Sequence, residues 1–291
     1  MVVNMDLVFT LAQNRTLSNA ICLGESLLIL SPHLKFCIGL VDVPTKNPIY
    51  GFDFDIIGVD SLKIDAFESM ASRYTTEEFL AAMKPYFAAH FLKEFSKIYY
   101  LEAKSIVLGN LTPKFRLLDA HNMVLTPQLN KAGQIKDEKQ VLNTGIFSSA
   151  CWGLKASVET DKILNWWLSK MPEKAGYQPC NGIYSDQLWM NHLPVLFEGV
   201  YMDKAYNMNI GLWGFENKED AMHINYSKQP PDFYKKVVTR IEKIIQQDTI
   251  PAFGRYIIPT PVWKSKLVSL FISITQAVDN SVSSLANILY R

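Results

Sequence analysis

No stretch of this chain reaches the roughly 20 consecutive apolar residues that a membrane-spanning helix needs. The first residues, MVVNMDLVFTLAQNR, lack a basic segment followed by a long apolar core, so they predict a first strand and not a secretion signal. Charge of one sign is also lacking. Lys and Arg total 29 and Asp and Glu 28, a net +1, which removes any global pull towards nucleic acid or an anionic membrane. Cysteine is scarce: only Cys22, Cys37, Cys151 and Cys180, with no C-x-x-C pair and no His/Cys cluster at zinc-ligand spacing. That usage predicts buried free thiols in a reducing compartment, hence the cytoplasm. Internal repeats and low-complexity tracts are absent.

What remains is an ordinary globular composition, 48% hydrophobic and 20% charged over 291 residues. Residues 2–12 form an apolar, β-rich run. Leu17, Ala20, Ile21, Gly24, Leu27 and Leu28 then recur at helical spacing and stop before Pro32. Residues 35–42, KFCIGLVD, predict a second strand. Strand, helix and strand in about forty residues make a βαβ unit, which implies a parallel sheet. Asp53-Phe54-Asp55 is the one literal D-x-D, and its alternation with Phe52 and Ile56 predicts an edge strand with one wet face, not a metal site.

Thr75 and Glu78 have the spacing of a capping box, with Phe79, Leu80 and Met83 facing inward along the helix it opens. Pro85 should end or kink that helix, or begin the next. Residues 122–127 predict another short strand, and the charged residues 131–139 an exposed loop able to close over a ligand. Ser157 can cap a helix carrying Ile163, Trp166 and Trp167. Residues 182–189 predict the opening of a further helix that ends near Leu193-Pro194. Trp152, Trp166, Trp167, Trp189 and Trp213 read mostly as core, with a sugar face as the alternative partner for a Trp near Trp213.

The most informative stretch is residues 97–111, KIYYLEAKSIVLGNL. A buried strand ends abruptly in Glu102-Ala103-Lys104 before a second apolar segment begins. Charges there sit at the carboxyl end of a sheet strand, where open α/β sheets bind ligands.

Tyr100-Leu101-Glu102-Ala103-Lys104 resembles the Y-L-D-x-D strand end of GT-A glycosyltransferases, with both acids changed. In that family the paired aspartates hold a divalent cation against the diphosphate of a sugar nucleotide. Glu102 keeps the first carboxylate and Lys104 inverts the sign of the second. Asn19-Ala20-Ile21-Cys22-Leu23-Gly24-Glu25-Ser26-Leu27-Leu28, with Pro32, Phe36 and Leu40-Val41-Asp42, is similar to the opening of one bacterial group of these enzymes. So is the later order: Asn143-Thr144-Gly145, the Trp166-Trp167 helix, Ser185-Asp186-Gln187-Leu188-Trp189, Tyr206-Asn207, and a following Trp. The N-x-G and D-Q pair also occurs in glycogenin-like enzymes. Ser148-Ser149-Ala150-Cys151 departs from the family's Asn-Leu-Gly-Phe run.

The resemblance implies an α/β fold of the GT-A, Rossmann-like type: a mixed, mostly parallel sheet flanked by helices, with a C-terminal helical extension. Residues 1–250 would form the transferase domain. Residues 251–291 would form a connector and an amphipathic helix. Catalysis would fall to Asp186, at the donor sugar or as a base, and to Gln187 beside the anomeric carbon. Donor contacts would come from Thr10, Leu11, Ala12, Asp42, Glu102, Lys104, Asn143, Gly145, Asn207 and His223. Several of these have plainer readings. Asp42 and Asn207 could cap turns, Asp186 could serve a helix dipole, and His223 could be a surface histidine. Lys104 either meets phosphate oxygens in place of a metal or is a solvated lysine marking lost activity.

The expected partners are a nucleotide sugar and a glycan or lipid-linked acceptor, with no nucleic acid. No residue set is assigned to a metal, and Mn²⁺ or Mg²⁺ are the cofactors compatible with the family. In the tail, residues 233–246 predict a basic amphipathic helix and residues 251–261 a Pro/Gly-punctuated connector. Leu267, Leu270, Phe271, Ile274, Ala277, Val278, Leu285, Ile288 and Leu289 then form an apolar stripe. That helix could pack on the domain, form a homodimer, or lie on a membrane with Lys264 and Lys266 near headgroups. Two functional classes stay open: a glycosyltransferase of surface polysaccharide or a related glycan, and a non-catalytic relative that binds nucleotide or glycan or serves as a partner subunit.

Overall fold

The structure is a computed structural model. It describes residues 3–41, 54–129, 141–142, 144–178, 183–211 and 222–225, and positions 270, 274 and 278. The chain divides into two compact units, Met1–Ile257 and Ile258–Arg291.

The larger unit begins β1 (Val3–Ala12), α1 (Leu17–Leu30), β2 (Lys35–Leu40) and β3 (Asp55–Gly58). It continues through α2 (Phe67–Arg73), α3 (Thr76–Phe91), β4 (Phe95–Leu101), β5 (Ser105–Val107), α4 (Thr112–Ala120) and β6 (Met123–Pro127). Then come β7 (Phe147–Lys155), α5 (Val158–Leu168), α6 (Met171–Lys174), β8 (Tyr177–Gln178), β9 (Ile183–Tyr184), α7 (Leu193–Leu196), β10 (Val200–Met202), β11 (Ile210–Gly211) and β12 (His223–Asn225). Seven strands form the main sheet, in the order β10-β6-β7-β4-β1-β2-β3. β1, β2, β3 and β4 pair in parallel, as do β6 and β10, while β7 runs against β4 and β6. The sheet is mixed and mostly parallel, as the βαβ pattern implies.

Side-chain alternation along β1 and β4 builds the core on both faces. Leu7, Phe9, Leu11, Ile98 and Tyr100 pack with Trp152, Phe79, Phe87 and Trp167 on one side. Val8, Ala12, Tyr99 and Leu101 pack with Leu23, Leu27, Phe115 and Cys151 on the other. Trp152 and Trp167 are wholly buried, and Cys22, Cys37 and Cys151 are buried free thiols. β3 is an edge strand with Asp55 exposed, in keeping with the wet-face reading.

The capping box forms: Thr75 accepts from the Glu78 N–H, and Glu78 accepts from the Thr75 N–H. Of the outcomes open to Pro85, the helix neither ends nor restarts there: α3 runs through it as one element. The missing hydrogen bond costs about 3 kcal/mol in an isolated helix. Here Phe79, Met83, Phe87 and Phe91 bury the helix on both sides of Pro85, and that burial outweighs the loss. The helix expected over residues 182–193 is corrected. Ile183–Tyr184 is a strand, Ser185 to Gln187 a turn, and Leu188–His192 a 3₁₀ segment. Leu193-Pro194 begins α7 instead of closing a helix, since proline suits a first turn.

β5 leaves the main sheet and joins β12 and β11, β12 pairing antiparallel with β5. The segment after β10 is tied down by Lys114 of α4, which pairs with Asp203 at 2.5 Å in a site where both side chains are buried. In the smaller unit, Leu270, Ile274 and Val278 are helical and about half exposed. Asp42, Asp53, Asn143, Cys180, Trp213, residues 131–139, 233–246 and 251–261, and the rest of the C-terminal stripe lie outside the described residues.

Candidate active site

β4 ends at Leu101 in the middle of the sheet, and the Glu102-Ala103-Lys104 turn follows it directly. Beside this turn lies a cavity of about 230 Å³, lined by Glu77, Leu80, Lys84, Tyr100, Glu102 and Asp186 among others. Two residues expected in the site, Glu102 and Asp186, therefore meet in one hollow at the carboxyl end of the sheet.

Asp186 is held by a partner that the sequence reading missed. The Lys84 ammonium lies 2.8 Å from Asp186 Oδ2, outside the angular range of a hydrogen bond, with side-chain exposures of 6% and 2%. Lys84 also donates to the Ser149 carbonyl at 3.1 Å and to Ser149 Oγ at 3.2 Å, and it stands 5.2 Å above the Tyr100 ring. Ser185 Oγ donates to Asp186 Oδ1 at 3.0 Å. Ser185 itself adopts φ +51, a left-handed turn position that aims the next side chain inward. Removing two charges from water costs several kcal/mol per ion, so such a pair is weak evidence of stability and better evidence of a site. The overlooked signal was positional. Lys84 falls at helical spacing with Leu80, Phe87 and Phe91, on the stripe that should face the core.

Glu102 accepts from the Tyr100 hydroxyl at 3.1 Å. Burial, then the Glu102 and Asp186 carboxylates, push the Tyr100 phenol well above its ordinary pKa, so it remains a donor. Lys104 is half-buried and makes no ion pair among the described residues.

Gln187 does not line the cavity. Its amide donates to the Thr144 carbonyl at 2.8 Å, and its carbonyl faces the Ser149 N–H at 3.5 Å. Gly145 is packed against Gln187: at φ +114, a Cβ there would lie 2.9 Å from the Gln187 carbonyl oxygen. The glycine thus admits protein backbone closely, where a ligand had been expected.

Thr10, Leu11 and Ala12 close β1 with fully buried side chains, so only their backbone could meet a ligand. Thr10 Oγ1 is left without a partner. Asn207 accepts from the Met222 and His223 backbone N–H groups, and its Oδ1 is buried and unpartnered. His223 contradicts the surface reading, being 0% exposed on β12. Its Nδ1 accepts from the Asn209 N–H at 3.0 Å, and its Nε2 has no partner. Burial lowers its pKa to about 3. Asn209, also missed from sequence, continues this network by donating to Ser148 Oγ at 2.7 Å and accepting from Asn225 at 3.1 Å. Ser148 and Ser149 are consecutive on β7. The strand therefore joins the His223 network to the Lys84–Asp186 pair.

No family model and no curated protein matches the sequence. Solved structures do match the fold. The galactosyltransferase LgtC, in complex with donor and acceptor sugar analogues, superposes with a TM-score of 0.54 at 15% identity, covering 90% of this chain and 100% of that one. The glycosyltransferase GlyE of Streptococcus pneumoniae TIGR4 gives 0.52 at 16%, covering 89% of this chain and 66% of its own. The bifunctional glycosyltransferase WbbM gives 0.52 at 10%, over 84% and 50%. At these identities the shared property is the fold, and the fold is that of GT-A glycosyltransferases.

Proposed function

We propose that this protein is a glycosyltransferase that moves a sugar from a nucleotide-sugar donor to a glycan or lipid-linked acceptor. The observation that carries the reading is the buried Lys84–Asp186 pair opening, with Glu102, into one cavity at the end of the central strand. At about 230 Å³ the hollow is smaller than the ~300–1,000 Å³ of a typical ligand pocket and suits a single sugar ring. Carboxylates accept hydrogen bonds from sugar hydroxyls, so Asp186 and Glu102 would orient the donor sugar. Lys84 holds the Asp186 carboxylate in place, and the Tyr100 hydroxyl holds Glu102. Gln187 would act by tying the Thr144 carbonyl to Ser149, which lines the cavity. Asn207 and the chain around Thr10, Leu11 and Ala12 would flank the nucleotide.

Transfer also requires that the leaving diphosphate be neutralised. Lys104, a cation with no counter-ion among the described residues, stands at the strand end where the family's second acid would be. An ammonium there would meet phosphate oxygens directly. The enzyme would work in the cytoplasm. Among the described residues no helix is long and apolar enough to cross a membrane. The half-exposed Leu270, Ile274 and Val278 offer a face for peripheral membrane contact or for a second copy of the chain.

The sign inversion at Lys104 favours a second reading, a non-catalytic nucleotide- or glycan-binding relative. The two separate in one experiment. Purified protein is incubated with a panel of nucleotide sugars, and release of nucleoside diphosphate is followed in wild type and in Asp186→Asn. The transferase reading expects slow donor hydrolysis that the variant abolishes. Nucleotide binding without release from any donor would leave the non-catalytic reading standing.

A further inference from the structure

A divalent cation is what the GT-A fold implies at this turn, and the residues here do not fit one. Three features of the donor set oppose it. Glu102 is the sole carboxylate of the turn and already accepts from Tyr100. Lys104 places a positive charge where a ligand should be. Among the described residues no three His, Cys, Asp or Glu side chains are grouped to hold a metal. The residue that the family resemblance would add to such a site is His223, which stands on β12 opposite Val107 of β5, the strand that follows the turn.

The hydrogen bonding of His223 decides its chemistry. A backbone N–H is always a donor, so the Asn209 N–H at 3.0 Å obliges Nδ1 to offer a lone pair. A neutral imidazole has one proton, which must then sit on Nε2. Turning the ring over would bring a carbon against the Asn209 N–H and lose that bond. A metal-bound histidine has the opposite arrangement: one nitrogen gives its lone pair to the metal and the other donates its N–H to an acceptor. Asn209 cannot easily move to permit this. It is fixed by bonds to Ser148 and Asn225 and sits at φ +54. Protonating the ring would set two donors face to face, and burial already holds the ring neutral.

Resting on the glycosyltransferase reading, we propose that His223 is a tautomer-locked Nε2–H donor that binds a phosphate oxygen of the donor's diphosphate directly, with Lys104 and without a divalent cation. An N–H buried with no acceptor costs about 1–3 kcal/mol. A ligand oxygen satisfies it, whereas a metal ion would need the lone pair that this nitrogen does not have. Asn209 is the positioning residue, since it acts only through the ring.

Two measurements test the proposal. Long-range ¹H–¹⁵N NMR on the wild-type protein, with the His223 signals assigned by their loss in His223→Gln, should show Nε2 protonated and Nδ1 bare. A proton on Nδ1 overturns the lock. Inorganic pyrophosphate is then titrated calorimetrically in excess chelator and in Mn²⁺. The expected result is equal binding in both, weakened roughly 10- to 100-fold in His223→Ala, as for a hydrogen bond to a charged group. His223→Gln, which keeps an N–H donor of similar reach, should recover part of that loss. Binding that appears only with Mn²⁺, Mn²⁺ binding that is lost in His223→Ala, or no pyrophosphate binding under any condition each overturns it. Both readouts are independent of sugar transfer, so failure of donor turnover with these results intact would remove only the transferase reading.

Discussion

Replacing Lys84 by Met isolates the interaction on which the proposed site depends. Methionine keeps the length and apolar stem but removes the ammonium, leaving the Asp186 carboxylate at 2% exposure with Ser185 Oγ as its hydrogen-bond donor. Breaking a buried pair in this way costs about 3–5 kcal/mol, because an uncompensated charge stays in the interior. The ammonium over the Tyr100 ring adds about 2 kcal/mol at a desolvated site. For a domain of this size each kcal/mol moves Tm by about 2–4 °C, so the melting point should fall by about 10–28 °C. Urea unfolding followed by tryptophan fluorescence measures the loss. Lys84→Met/Asp186→Leu should recover most of it, since apolar replacement of a whole buried pair is often neutral or better. A single-variant loss below about 1 kcal/mol, or strict additivity in the double variant, would refute the buried-pair reasoning.

Other consequences are more local. His223 has a folded pKa near 3 against 6.5 unperturbed, so below 6.5 the unfolded chain binds a proton that the folded chain refuses. Its contribution is complete above pH 6.5 and is lost as pH falls towards 3. Between pH 6.5 and about pH 4.5 the wild type should therefore lose roughly 2 kcal/mol from this group alone, a slope that His223→Gln should flatten in denaturant titrations. Gly145→Ala combines strained backbone with a contact at 2.9 Å to the Gln187 carbonyl. It should cost about 1–3 kcal/mol in urea unfolding and slow donor hydrolysis by shifting Gln187. Thr75→Ala removes only a helix cap and should cost about 1 kcal/mol in the same assay.

The parts of the fold legible in the sequence were those set by local periodicity. The run that becomes β1, the helical recurrence from Leu17 to Leu28, and KFCIGLVD each announce one element because burial on that face is continuous. The Thr75–Glu78 box was equally plain, being a contact between residues three apart. Pro85 left three outcomes open because local helix chemistry does not register the aromatic packing that carries α3 through it. Residues 182–193 misled because a glycine, a serine and an aspartate suggest a helix opening, while strand pairing between β8 and β9 takes that stretch first. The site was half legible. Glu102 and Asp186 followed from a strand end and a recognised motif. Lys84 is 102 residues from its partner in sequence, and only an out-of-place charge on an apolar stripe hinted at it. The burial of His223 depends on pairing between β12 and β5, which nothing local to residues 222–227 foretells.

Calorimetric titration with UDP, GDP and CDP, each with Mn²⁺ and with excess chelator, addresses the nucleotide site most directly. The account predicts that one nucleotide binds in chelator as well as in Mn²⁺, and that Lys104→Ala weakens it at least about tenfold. Binding that requires Mn²⁺ and ignores Lys104→Ala would contradict it. So would the absence of binding to all three.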